Sequence, residues 1–201
     1  MHCVAGDGVG ILAGALVAGL YELSRPQEIA LEYILGFGFG WAIFQALFMR
    51  DMAGGSYVAA LRQTFMSEFL SMNCLMAGMV PVAIAWRSRV PAAMDAGNPA
   101  FWFIMSIALL VGFMVAYPMN WWLVTRGLKH GMMTVRRSES HPDMTMAVAG
   151  EEHVGHAAMS DTSSHQHAHH TAPVGAAALL GMAIVSLAVF AAGLGLAAIL
   201  S

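Results

Sequence analysis

Apolar residues fall along this chain in blocks long enough to cross a bilayer, separated by short polar breaks. A spanning helix needs about 20 mostly apolar residues to cover about 30 Å of hydrocarbon. Blocks at residues 4–21, 29–49, 65–86, 101–124 and 173–200 meet or approach that length. The first is the shortest. The second ends at Arg50-Asp51 and is followed by an amphipathic stretch, 52–63, in which Gly54-Gly55 supply a turn. Pro118 predicts a kink near the end of the fourth. Residues 125–172 are polar, acidic and rich in histidine, and read as a flexible loop. The pattern therefore predicts an all-α integral membrane protein. A four-helix transmembrane core (1–135) is followed by a polar His-rich loop (136–172) and a fifth, C-terminal transmembrane helix (173–201).

Composition agrees with that division. Only 10% of the 201 residues are charged and 58% are hydrophobic, against about 25% charged in soluble domains, too few to cover a water-facing surface. The 21 glycines suit helices that pack closely in lipid. No basic patch appears and the sequence pI is near 6.3, which argues against nucleic acid as a partner. Cys3 and Cys74 each fall in an apolar segment and make no disulfide framework. The first apolar block lacks a basic leader and contains Asp7 and five glycines, unlike a cleavable signal peptide.

The positions of Lys and Arg predict orientation. Arg50, Arg62, Arg126, Lys129, Arg136 and Arg137 follow blocks two and four, whereas Arg25, Arg87 and Arg89 follow blocks one and three. The richer side is expected to be cytoplasmic. The N-terminus and the His-rich loop would then be inside and the C-terminus outside a bacterial inner membrane.

Ionisable residues inside the blocks are the sharpest chemical signal. A charge in hydrocarbon costs roughly 3 kcal/mol or more, so such residues face the bundle interior. Asp7 and Glu68 qualify, with Glu32 behind them and Glu28 nearer water. The predicted orientation puts Asp7, Glu68 and Asn120, from three helices, in one cytoplasmic-side layer near Arg50 and Asp51. Either a functional site or a structural polar network with Arg50 fits that layer. Gly6, Gly10, Gly14 and Ala18 form a small-residue stripe suited to helix packing. The stripe carries Cys3 and Asp7 inward. Gly36, Gly38 and Gly40 lack the strand context of a dinucleotide fingerprint and read as packing too.

Methionine is unusually frequent, with 17 residues. Met72, Met76 and Met79 share a helix face one turn beyond Glu68. Thioethers and thiolates favour Cu(I), yet methionine is also flexible core filler, and both readings stand. In the loop, His141, His153, His156, His165, His167, His169 and His170 accompany Met144, Met146, Met159, Glu151, Glu152 and Asp161. Imidazole binds zinc, copper and nickel, but no fixed ligand spacing appears, so any site there would be weak and exchangeable. No G-x-S-x-G, H-E-x-x-H or P-loop is present, and an enzyme is not expected.

Several of these stretches resemble a bacterial membrane family known as domain of unknown function 4396. They are His2-Cys3-Val4-Ala5-Gly6-Asp7; the run from Glu68 through Ser71-Met72-Asn73; Ala116-Tyr117-Pro118-Met119-Asn120-Trp121-Trp122-Leu123; and Arg126-Gly127-Leu128-Lys129-His130. The resemblance spans about residues 2–135 and implies a four-helix membrane core, with the loop and fifth helix as an extension. It implies no established activity, although links among relatives to copper proteins point towards metal. The family's opening motif is often His-Cys-x-x-Gly-Cys. Here Asp7 stands at the second cysteine position, which weakens any two-thiolate site. The motif's usual setting also implies sequence upstream of Met1.

Three functions follow as expectations. The first is metal handling, with copper favoured, in which His2, Cys3, Asp7, Glu68, Met72, Met76 and Asn120 bind an ion within the membrane. The histidines at 153, 156, 165, 167, 169 and 170 would gather it, or hold zinc or nickel. The second is a non-catalytic partner or assembly subunit, homo-oligomeric or bound to another membrane protein. The third is a proton-coupled solute carrier that uses Asp7 and Glu68 as a relay.

Overall fold

Long apolar segments satisfy their backbone polar groups internally when they are helical, and the described residues are almost all helical. The structure is a computed structural model and describes residues 2–45, 47, 56–129 and 175–200. Its elements in order are α1 (His2–Leu20), α2 (Arg25–Gly38) continued by a π-helical segment (Phe39–Gln45), α3 (Tyr57–Arg87), a 3-10 turn (Pro91–Met94), α4 (Pro99–Thr125) and α5 (Ala176–Leu200). Among the described residues there is no strand.

Local chemistry sets the ends of these helices. Glu22 adopts a left-handed conformation (φ 48°), and the Leu23 amide returns to the Ala18 carbonyl at 3.0 Å, which closes α1. The Ser24 amide donates to Gln27 Oε1 at 3.0 Å and Pro26 stands in the first turn, which opens α2. Asn98 caps α4 through Oδ1, with Pro99 as its first residue. At the far end of α4, Gly127 takes φ 68°. The Leu128 and Lys129 amides then both bond to the Leu123 carbonyl, at 2.9 and 3.2 Å. That reversal carries Lys129 back towards the bundle.

Three helices, α3, α4 and α5, are long and apolar enough to cross a membrane, which is compatible with a membrane protein. The apolar part of α1, Ala5–Leu20, is shorter, and α2 is interrupted by its π-helical continuation. Large apolar side chains of α4 and α5, among them Phe103, Leu110, Met114, Leu180, Ile184 and Ile199, lie exposed on the outer surface.

The core is built around α3, which touches α2, α4 and α5. Its residues Leu70, Met72, Leu75, Met76 and Met79 are fully buried. The small-residue stripe of α1 is the contact with α2. A Cβ on Gly10 would run into the Leu35 carbonyl, and one on Gly14 would stand 2.8 Å from Glu32 Cα. Gly78 of α3 meets Gly112 of α4 in the same manner. Pro81 has no amide to give the Ala77 carbonyl four residues earlier. Gly193 of α5 sits on that carbonyl, 2.5 Å from where its Cβ would be.

Candidate functional site

Asp7 of α1 and Glu68 of α3 are both 0% exposed. They converge on Gly40, in the π-helical segment. A Cβ there would overlap Asp7 Oδ1 outright and stand 2.9 Å from Glu68 Oε1. Only glycine leaves room for two carboxylates against this backbone, and π-helical turns are frequent at functional sites. The segment is anchored to the start of α3. Trp41 Nε1 donates to the Leu61 carbonyl at 3.0 Å, and the Tyr57 hydroxyl to the Ala42 carbonyl at 2.8 Å.

One side of the pair is well partnered. Lys129 Nζ lies 3.3 Å from Glu68 Oε2 and donates to Asn120 Oδ1 at 2.9 Å. Asn120 Nδ2 donates to Ser71 Oγ at 2.9 Å and to the Ala116 carbonyl at 3.0 Å. The other side is not. Among the described residues, Asp7 Oδ1, Asp7 Oδ2 and Glu68 Oε1 are buried without a hydrogen-bond partner. Buried polar atoms are nearly always paired, and here three acceptors in one place are not.

The expected layer of Asp7, Glu68 and Asn120 is thus brought together. Its cationic partner among the described residues is Lys129, from the stretch expected to be loop; the expected Arg50 and Asp51 lie outside the described residues. The Gly127 reversal is the signal that could have found Lys129. Met72 packs against Gly36 beside the Asp7 backbone carbonyl. Met76 and Met79 continue away from the pair in the buried core. The side chains of His2 and Cys3 lie outside the described part, as do His141, His153, His156, His165, His167, His169 and His170. Among the described residues, no group of three or more His, Cys, Asp or Glu is placed to hold a metal ion.

Two further polar groups lie along α2. The Tyr33 hydroxyl donates to Asn73 Oδ1 at 2.8 Å, and Asn73 Nδ2 donates to Ser186 Oγ of α5 at 3.2 Å. Nearer the start of α2, Glu28 forms an ion pair with Arg87 of α3, beside the buried Glu32.

Residues 1–129 match a family described as Domain of unknown function (DUF4396). No curated protein and no solved structure matches the chain.

Proposed function

The chain belongs to the DUF4396 family, and from that premise and the site's geometry we propose that it is a multi-pass membrane protein that binds and passes on a proton at the Asp7–Glu68 pair. The observation that carries the reading is charge. Among the described residues two carboxylates and one ammonium meet where water is excluded, which leaves one negative charge over. An isolated charge in such a place is expensive. A proton shared by the two acids removes it, and the three unpartnered oxygens are its acceptors. Lys129, itself held by Asn120, fixes one end of Glu68, so the exchangeable end faces Asp7.

In this reading α1 and α2 with its π-helical continuation cross the bilayer with α3 and α4, and α5 is the fifth span. The Lys129 end faces the cytoplasm of a bacterial inner membrane, as the excess of Lys and Arg on that side favours. The test is proton uptake by the purified full chain in vesicles loaded with a pH-sensitive dye, under an imposed potential. Wild type is expected to conduct protons, and Asp7→Asn or Glu68→Gln to reduce the rate at least about tenfold. Equal rates in wild type and both variants overturn the proposal.

A second reading, metal handling, is favoured by the same orphaned oxygens together with Cys3, one turn before Asp7 on α1, and Met72 nearby. Copper is the ion these donors suit best, with the His-rich loop gathering copper, zinc or nickel. Elemental analysis of untagged protein decides it. Metal that survives deletion of residues 138–172 but is lost in Asp7→Asn supports this reading, and metal-free protein removes it.

A further inference from the structure

The Asp7–Glu68 pair lies towards one end of the helices, and a proton that reaches it must come from or go to the opposite side. The groups along α2 supply the intervening steps. Counting from Gly40, which touches the pair, Glu32 is eight residues away and Glu28 twelve, about 12 and 18 Å at the rise of an α-helix. Tyr33 and its partner Asn73 fall between. Asn73 is five residues from Glu68 on α3, about 7.5 Å by the same rise.

Glu32 is 4% exposed, and its carboxylate makes no hydrogen bond to a described residue. Its helix is pressed against Gly14 of α1, so it has no route outward on that side. It does line a cleft of about 20 Å³, together with Arg25, Glu28, Ile29, Ala83 and Arg87. That is room for about one water molecule. The charged groups facing Glu32 are Glu28 and Arg25 from α2 and Arg87 from α3. Glu28 and Arg87 are held by each other, so neither is committed to Glu32. A buried carboxylate that opens onto a water-sized cleft has the surroundings of a proton-transfer group.

We infer that Glu32 is a second proton-binding station and that the cleft beside it is the mouth of a proton path on the side of the membrane opposite Lys129. The inference rests on the proton reading of Asp7 and Glu68. A proton passes from water in the cleft to the Glu32 carboxylate. It leaves Glu32 to water near the Tyr33 hydroxyl, and arrives on the carboxylate pair. Each transfer moves one proton between oxygen atoms, and Glu32 returns to the carboxylate each time. Tyr33 need not ionise: its oxygen accepts from the water while its O–H stays on Asn73. Asn73 is itself held by Ser186, so α5 positions the middle of the path without carrying the proton. The ion pair of Glu28 with Arg87 keeps the mouth polar and ties α2 to α3 there.

The vesicle assay tests this with the full-length chain. Wild type, Glu32→Gln, Glu32→Asp, Tyr33→Phe and Asp7→Asn are compared, with helix content and thermal midpoint in detergent verifying that each folds. Glu32→Gln is expected to lower the initial proton rate at least about tenfold, Glu32→Asp to restore most of it, and Tyr33→Phe to lower it several-fold. Asp7→Asn is expected to lower it at least about tenfold, as in the test of the carboxylate pair. Protons that pass at the wild-type rate through Glu32→Gln but not through Asp7→Asn overturn the second station and leave the Asp7–Glu68 site intact. A wild-type chain that passes no protons overturns both. Glu32→Gln and Glu32→Asp that are equally slow would also overturn the inference, because they would mark Glu32 as a packing residue rather than a titrating one.

Discussion

At the scale of single residues, the site depends on one missing side chain and one returning cation. Gly40 leaves the space in which Asp7 and Glu68 meet. Gly40→Ala is therefore expected to cost about 1–3 kcal/mol of stability through overpacking and to abolish proton flux, both measurable on one detergent-purified sample. Gly38→Ala has open space at its Cβ and should change neither. Lys129 is the partner of Glu68, and removing one member of a buried pair typically costs about 3–5 kcal/mol. Lys129→Met should lose about that much in a thermal or denaturant melt, and Lys129→Met combined with Glu68→Gln should recover most of it. Strict additivity of the two single changes would show that they do not act on each other. The sequence made Asp7, Glu68 and Asn120 legible, because charged and amide groups in long apolar blocks need an interior. Gly40 and Lys129 were not legible. A glycine facing carboxylates and one facing a helix look alike in the chain, and Lys129 reaches the site only through the left-handed turn at Gly127.

At the scale of helices, the apolar blocks at 65–86, 101–124 and 173–200 correspond to α3, α4 and α5, and the structure extends the first of these to Tyr57–Arg87. Within the amphipathic stretch 52–63, residues 57–63 are the opening of α3, and 52–55 lie outside the described residues. Its polar residues cap and anchor that opening: Ser56 accepts from the Ala59 amide and Tyr57 holds the π-helical segment. The π-helical turns themselves had no sequence signature, because they answer to contacts with α1 and α3 rather than to local propensity. The docking of α5 illustrates a pairing that spacing alone does not reveal. Pro81 frees the Ala77 carbonyl, and Gly193, far away in the chain, lies against it. Gly193→Leu cannot fit that contact and is expected to lower the melting midpoint by an amount equivalent to about 1–3 kcal/mol. Gly195→Leu, with nothing near its Cβ, should leave it unchanged. Equal effects of the two would mean that α5 is not seated through Gly193.

At the scale of the whole molecule, buried polar groups form a series rather than a patch. It runs from Lys129, Asn120 and the carboxylate pair, past Tyr33 with Asn73, to Glu32 and the ion pair of Glu28 with Arg87. Polar groups inside an apolar bundle are costly, and the proposed proton path accounts for this series. The proposed orientation rests on charge: if the Lys129 end is inside, a periplasm-active reporter fused after Ser201 should be active, and the same reporter inserted in residues 138–172 inactive. The opposite pattern would invert the direction of the path without altering its residues. The core claim, that Asp7 and Glu68 together hold an exchangeable proton, is tested most directly by infrared difference spectroscopy of the purified protein across a pH step in light and heavy water. A protonated-carboxyl stretching band that shifts in heavy water is expected, and the Asp7→Asn, Glu68→Gln double variant loses the pair's component of it, leaving only what Glu32 contributes. A spectrum without such a band, or a band unchanged in the double variant, would contradict it.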